Sequence, residues 1–360
     1  MGETEIEVGI VGLGTHGTNH AEILTHMDHE VFGADTDPES CQEFQSRFDT
    51  RTYDSPSALF QSGIDAVVIS TPNKFHEPAA TEAMNAGLDV LLEKPLAHTL
   101  ESAERIHDVA VETGSICMVG FHHRYRNSCR LVKDYITDNF FGEITHIDAK
   151  FIRRRGVPGR GTWYTSNEIA GGGAMMDIGA HLMDLLLFLS GWPEIEDVMA
   201  TQRSNFGQRS DYAYLHMWGE DEEGKMYDVE DSLTATCKFE TGMTANIEVA
   251  WAANTDSNHS YVLRGTEAGA HLNIVEPHRE RVEGIEENRS QLELFEARKA
   301  NVDHYVDSDV VVANNDPYAD ELETFVEAVQ SGERPPMTDV DEALQVQRAL
   351  DTLYKADASQ

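Results

Sequence analysis

The apolar run EIEVGIV at residues 5–11 leads straight into Gly12-Leu13-Gly14-Thr15-His16-Gly17, and a helical pattern then extends to residue 27. A second strand pattern at 30–34 ends at Asp35, 23 positions after Gly12. Few folds accommodate a strand, a glycine-spaced turn, a helix and an acidic strand end in this order. The first glycine allows the tight turn, the second lets backbone approach a pyrophosphate, and the third lets helix and strand pack closely. The helix start then offers unpaired N–H groups to the phosphates. Gly12, Leu13, Gly14, Thr15, His16 and Gly17 are therefore the expected pyrophosphate loop. His16 stands where an apolar residue is common, and it either flanks the phosphates or packs.

Asp35 is expected to accept the adenosine ribose hydroxyls. Asp37 lies beside it, and no Arg or Lys occurs between Asp35 and Arg47. A 2′-phosphate would meet negative charge with no cationic partner, so NAD is expected over NADP. Strand and helix patterns continue to alternate through residue 121, which gives a doubly wound parallel sheet. Ligands of such sheets bind beyond the carboxyl ends of the strands. Thr71, Asn73, His76, Glu93, Lys94 and His122 all fall at or just past those ends and are expected in the cofactor crevice. Lys94 stands out, because only eight of the 27 basic residues are Lys. It is expected to donate to a reacting hydroxyl.

The pattern changes after residue 124. A helix at 127–138 and a strand at 143–154 precede an Arg/Gly/Pro loop. Then comes GGGAMMDIGAHLMDLLLFLSG at 171–191, an apolar helix interrupted by Asp177, His181 and Asp184. Spacings of four and three residues put all three on one face. Buried polar groups need a reason, so this face is expected to line an active site. Strand patterns follow at 194–203, 229–239, 243–252, 261–265 and 270–275, with a hairpin turn at 266–269. Residues 291–312 fit no single pattern, and helices are expected at 317–331 and 340–354. The chain thus reads as an N-terminal Rossmann domain, residues 1–123, followed by an α+β domain with an open, largely antiparallel sheet, residues 124–360. The helix can cover one sheet face, and a second subunit the other.

Oxidising an alcohol with a nicotinamide cofactor needs a base for the hydroxyl proton and a donor for the developing alkoxide. His181 is the natural base and Lys94 the donor. Asp177, one turn before His181, either holds a neighbouring hydroxyl or orients the site. No third ligand accompanies Asp177 and His181, so a metal site is not expected.

The 64 acidic residues against 27 basic give a formal net charge of -37. That argues against nucleic acid or an anionic membrane as partner. The acids are scattered, apart from Glu220-Asp221-Glu222-Glu223, which reads as a solvated loop. An acidic, Lys-poor surface around an ordinary core fits adaptation to high salt, where self-repulsion is screened. Four cysteines without CxxC spacing read as core thiols in a reducing compartment. The N-terminus lacks a basic n-region and enters a strand at once, so no signal peptide is expected. No apolar run reaches membrane-spanning length. A cytoplasmic protein is expected.

The stretches VGLGTHGTNH (11–20), STPNKFHEPAATEAMNAGLDVLLEKPLA (70–97), GFHHRYR (120–126) and GGGAMMDIGAHLMDLL (171–186) together resemble the glucose-fructose oxidoreductase / inositol dehydrogenase / rhizopine-catabolism family, of a haloarchaeal type. The C-terminal DELETFVEAVQSGERPPMTDVDEALQVQRALDTLYKA is also similar to this family. The resemblance implies a catalytic set of Lys94, Asp177 and His181 and a cis Lys94–Pro95 peptide. It implies hydride transfer between NAD and a ring hydroxyl of a sugar, glycoside or cyclic polyol. The segment RRRGVPGRGTWYT (153–165) resembles a subgroup that oxidises sugars or glycosides, in some cases at C3. Trp163 would then stack on a sugar face, with Arg153, Arg155 or Arg160 at hydroxyls or an acid group. Arg124, in the GFHHRYR stretch, is a further expected substrate contact beside Lys94, Arg153, Trp163, Asp177 and His181. The resemblance also leaves room for an NAD-cycling glycoside hydrolase or a non-catalytic dinucleotide or sugar sensor. A homo-oligomer, dimer or tetramer, is expected.

Overall fold

The computed structural model describes residues 5–209, 211–212, 219, 221, 225, 227–274 and 291–358. In chain order the elements are β1 (Glu7–Val11), α1 (Thr15–His26), β2 (Glu30–Ala34), α2 (Pro38–Phe48), β3 (Thr52–Tyr53), α3 (Pro56–Phe60), β4 (Ala66–Ile69), α4 (His76–Asn85), β5 (Asp89–Leu92), α5 (Leu100–Thr113), β6 (Cys117–Val119) and α6 (Asn127–Thr137). Then follow β7 (Ile144–Ile152), the one-turn α7 (Asn167–Ala170), α8 (Ala174–Ser190), β8 (Ile195–Arg203), β9 (Ser232–Phe239), β10 (Thr244–Ala250), β11 (Asn258–Gly265), β12 (Ala268–Asn273), β13 (Gln291–Arg298), β14 (His304–Val310), α9 (Pro317–Ser331) and α10 (Val340–Ala358). They form two compact units. One contains Met1–His122, Glu168–Gly171 and Pro317–Arg348, and the other His123–Asn167, Gly172–Asp316 and Ala349–Gln360.

The first unit is built on a six-stranded sheet in the order β3-β2-β1-β4-β5-β6. All its pairings are parallel. Strands covered by helices on both faces need continuous apolar runs, and Ala66–Ile69 is buried at every position. The strand order reverses between β1 and β4, which opens the crevice where dinucleotides bind. The late helix α9 belongs to this unit and lies against α1. Its buried face, Leu322, Phe325 and Val326, gives the reason.

The second unit holds an eight-stranded sheet, β14-β13-β12-β11-β7-β10-β9-β8. It is mixed: β10 runs parallel to β7, and the other pairs are antiparallel. The parallel pair follows from connectivity, since α8, β8 and β9 intervene before the chain returns beside β7 and such a return is a crossover. Helix α8 packs on β7, β9 and β10 and buries Leu182, Leu185, Leu186 and Leu189 completely. The helical stretch Asn167–Ser190, α7 with α8, is long and apolar enough for a membrane span, yet 89% of its apolar window is buried in the fold. The ambiguous stretch 291–312 is the outer hairpin β13–β14. The hairpin between β11 and β12 turns at Thr266-Glu267, while Ala268 and Gly269 already pair as strand. Val275 and, of the acidic cluster, all but Asp221 lie outside the described residues.

Candidate active site

In the first unit the glycine loop joins β1 to α1. Gly12 has φ +88°, a conformation that suits glycine. A Cβ on Gly17 would lie 2.0 Å from the Gly12 carbonyl oxygen, whereas one on Gly14 would meet nothing within 4 Å. The loop is thus tight on its inner side and open where a phosphate would approach. No side chain caps the start of α1, so its first N–H groups suit an anion. Leu13, buried, donates its N–H to Asp35 Oδ2 at 2.8 Å, and Asp37 N–H donates to Oδ1 at 2.9 Å. This fixes Asp35 at the end of β2 with its carboxylate against the loop. Asp37 caps α2, and its Ser40 hydroxyl and the Glu39 and Ser40 N–H groups hold its carboxyl below the usual range. Thr15 and His16 are exposed on the first turn of α1. These residues fit a dinucleotide.

The loop after β4 is braced from behind. Asn73 is buried and donates from Nδ2 to the Ala170 carbonyl at 2.8 Å. His76 is fully buried, with Nε2 2.9 Å from the Thr71 carbonyl and Nδ1 2.9 Å from the Pro95 carbonyl. Burial pushes its imidazole pKa down against those carbonyls. Asn73 and His76 therefore point into the fold and shape the crevice wall. His76 in particular ties the end of β4 to the turn after β5, where the Lys94–Pro95 peptide is cis and Lys94 stands half-buried.

Glu93 is anchored on both carboxylate oxygens. His20 Nε2 lies 2.9 Å from its Oε1, the Lys94 N–H donates to Oε2 at 3.2 Å, and His16 Nδ1 is 3.9 Å from Oε1. Burial alone would raise its carboxyl, but the His20 hydrogen bond and the charges of His16, His20 and Lys94 outweigh it and hold the pKa well below the usual carboxylate range. His122 stacks on Tyr318 of α9 with ring centroids 4.1 Å apart.

In the second unit α8 carries Asp177 and His181, the residues expected to do acid–base work. Asp177 Oδ2 accepts the Trp251 indole N–H at 2.8 Å, and Arg153 Nη1 is 3.6 Å from the same oxygen. A carboxylate between an N–H donor and a guanidinium is held in orientation. His181, one turn on, is 7% exposed, so little of it is open to solvent. Its ring stands edge-on to His123 at 4.7 Å, and His123 edge-on to His259 at 5.0 Å. His259 stacks on Phe151 at 3.8 Å, and the Arg153 guanidinium lies 5.3 Å over that ring.

Asp184 shares the helix face but has a different task. It is fully buried and binds Arg124 through Nε, at 3.0 and 2.9 Å to its two oxygens, and through Nη2. Arg124, also fully buried, lies 4.7 Å over the Trp192 ring and 5.2 Å over Phe188. The guanidinium expected at the substrate is thus engaged as a brace for α8, because a buried carboxylate on an apolar helix demands a cation. Trp163 stacks on Tyr164 at 3.6 Å. Arg155 donates to the Ala253 carbonyl and Asn254 Oδ1, and Arg160 to Asp221.

Sequence reasoning missed the clamp on the start of α8. Glu230 accepts the Gly173 N–H at 2.8 Å, the Met175 N–H at 2.9 Å and the Tyr354 hydroxyl at 2.9 Å. A Cβ on Gly173 would fall 1.8 Å from the Glu230 carbonyl oxygen, so this glycine serves the close approach. Burial pushes the Glu230 carboxyl up, against the lowering of those three hydrogen bonds. Trp251 and His20 were missed as well. Trp251 ends an apolar strand pattern and reads as core. His20 lies three residues past Gly17 in a polar TNH run, the one available signal.

Residues 6–121 match the family described as "Oxidoreductase family, NAD-binding Rossmann fold", and residues 129–271 match "GFO/IDH/MocA C-terminal domain". The D-glucoside 3-dehydrogenase of Escherichia coli (strain K12) is 30% identical over 279 residues, covering 76% of this chain and 78% of that protein. The scyllo-inositol 2-dehydrogenase (NAD(+)) of Bacillus subtilis (strain 168) is 24% identical over 350 residues, 96% of this chain and 92% of that one. The solved structure of levoglucosan dehydrogenase in complex with NADH and levoglucosan superposes with a TM-score of 0.82 at 21% identity, covering 99% and 98% of the two chains. At that identity the likeness shows the shared fold.

Proposed function

Because the chain belongs to the GFO/IDH/MocA oxidoreductase family, we propose that it transfers a hydride between NAD and a ring hydroxyl of a sugar, glycoside or cyclic polyol. The observation that carries this reading is the pair on α8: a carboxylate, Asp177, held by Trp251 and Arg153, one turn before the shielded imidazole of His181. Such a pair suits proton removal from a hydroxyl. When bound, NAD supplies the hydride acceptor. His181 takes the hydroxyl proton. Lys94 donates a hydrogen bond to the oxygen as charge develops there. Asp177 holds a neighbouring hydroxyl or orients the site, and Arg153 and Trp163 line the sugar.

Asp35, with Asp37 beside it, disfavours a 2′-phosphate, so NAD is the cofactor in this reading. The loop Gly12–Gly17, with Thr71, Glu93 and His122, completes its binding region within residues 1–123. Residues 124–360 bind the substrate. A second copy of the chain covers the sheet face away from α8, where half-buried His146 and Asp148 and exposed Asn246 form a hydrogen-bonded row. Glucosides come first among the substrates, since the E. coli relative is named for oxidation of a glucoside at position 3. The net charge of -37 suits a cytoplasm of high salt.

The test is NADH formation in concentrated potassium chloride, with NAD or NADP and a panel of glucosides, aldoses, inositols and sugar acids. NAD-dependent turnover of one ring class supports the reading. Glycoside cleavage without net NADH replaces it by an NAD-cycling hydrolase. Cofactor binding with no turnover on any member replaces it by a sensor.

A further inference from the structure

We propose that the pair of half-buried Glu93 and buried His20 makes the first unit bind the oxidised nicotinamide cofactor in preference to the reduced one. The inference rests on the function proposed above and goes beyond it. It begins with topology. In the order β3-β2-β1-β4-β5-β6, Asp35 ends β2 on one side of β1, while β4 and β5 lie on the other. If Asp35 takes the adenosine ribose and the start of α1 takes the pyrophosphate, the nicotinamide half extends toward β4 and β5. Glu93 is the first residue past β5.

With the His20 ring neutral, the pair holds one negative charge in one place. Glu93 Oε1 accepts from His20 Nε2 at 2.9 Å and Oε2 from the Lys94 N–H at 3.2 Å. His20 is 1% exposed, so solvent does not compete for its ring, and the ring meets Tyr318 edge-on at 6.3 Å. Gly120 closes the other side, since a Cβ there would come within 3.5 Å of Glu93 Oε2. A carboxylate only accepts hydrogen bonds, so His20 donates Nε2–H and is a positioning residue for Glu93.

The two cofactor forms differ in charge where it matters. The oxidised nicotinamide ring carries a formal positive charge, and the hydride it accepts removes that charge. A fixed carboxylate therefore stabilises the oxidised form and does little for the reduced one. The Lys94 ammonium is present beside both forms, so it cancels when the two affinities are compared before and after Glu93 is changed. A unit charge acting over about 10 Å at an effective dielectric near 20 alters such a ratio about tenfold.

The experiment titrates the full-length protein, without sugar, with NAD+ by calorimetry and with NADH by fluorescence. Wild type is compared with Glu93→Gln, His20→Ala and His20→Asn. Glu93→Gln should lower the preference for NAD+ about tenfold, mostly by weakening NAD+. His20→Ala should give part of that loss, and His20→Asn, whose amide keeps a donor, should restore most of it. Equal weakening of both forms, or an unchanged ratio, overturns the inference. If Glu93→Gln fails to fold, the ratio for His20→Ala against His20→Asn decides in the same way. A wild type that binds neither form sinks the proposed function along with this inference. A wild type that binds both, with a ratio indifferent to Glu93, sinks the inference alone.

Discussion

Trp251→Phe isolates one hydrogen bond at the proposed acid–base pair. The wild-type indole N–H donates to Asp177 Oδ2 at 2.8 Å, and Trp251 is fully buried. Phenylalanine keeps an aromatic ring on the strand and removes the donor. A hydrogen bond to a charged group contributes about 1.5–3 kcal/mol, which corresponds to roughly 10- to 150-fold in an equilibrium or a rate. Arg153 still faces the same oxygen, at 3.6 Å, so part of the orientation survives. The expected fall in kcat/KM is therefore in the lower part of that range, about 10- to 30-fold. The smaller ring also leaves a void costing about 1–2 kcal/mol of folding stability. That cost appears in urea unfolding and not in the kinetics of folded enzyme. The assay is steady-state NADH formation for wild type, Trp251→Phe, Asp177→Ala and the double variant. If Trp251 acts through Asp177, its replacement adds almost nothing once Asp177 is gone. Additive losses in the double variant would refute the reasoning, since Trp251 would then act on turnover by another route.

Arg124→Met strands the fully buried Asp184 carboxylate and should cost about 3–5 kcal/mol in urea unfolding. Adding Asp184→Leu should return most of it, and a single variant within 1 kcal/mol of wild type would count against the pair as a brace. Asp35→Ser should weaken NAD about tenfold while NADP changes less, by fluorescence titration of both reduced forms, since ribose hydroxyls lose an ionised acceptor; an unaltered preference removes Asp35 from the ribose site. Glu93 gives a pH prediction. Its folded pKa lies well below the usual range. Its stabilisation is therefore complete above the unfolded value near 4.3 and is lost as pH falls through the lower folded value. Glu93→Gln should flatten the acid limb of Tm against pH below about pH 4.3, and an acid limb as steep as wild type would contradict the assignment.

The fold was legible because its signals are local and periodic. The strand–glycine–helix unit at 7–26 and the buried run at 66–69 each report their environment within a few residues. The second sheet was harder. Its strands alternate, which the sequence displays, but the parallel pairing of β7 with β10 depends on a return across about ninety residues and leaves no local mark. β13 and β14 lie at the sheet's edge, and the described part of β14 is exposed or half-buried throughout. β13 buries Leu292 and Leu294 alone among its described side chains and β14 buries none in its described part, so the buried alternation is too short to read. At the site, residue types on one helix face were legible and their partners were not. Asp177, His181 and Asp184 look equivalent by spacing, yet Asp177 faces Trp251 and Arg153 while Asp184 faces Arg124. What separates them lies 74 and 60 positions away in the chain.

The same reasoning explains which acids matter in a chain that has 64 of them. With 27 basic residues, cations cannot neutralise every carboxylate, and composition gives no hint of which ones are buried. At the buried and half-buried acids described above, neutral donors do much of the holding. Glu230 is met by two backbone N–H groups and a tyrosine hydroxyl, Asp177 by an indole, and Glu93 by an imidazole and a backbone N–H. Asp184 takes a full guanidinium, and Arg153 adds a cation 3.6 Å from Asp177. Exposed pairs such as Lys150–Glu248 or Lys238–Glu196 weaken as salt rises, whereas a hydrogen bond from a buried neutral donor is screened little. Glu230, held by neutral donors, therefore keeps its geometry, and with it the start of α8, at ionic strengths that dissolve the surface pairs.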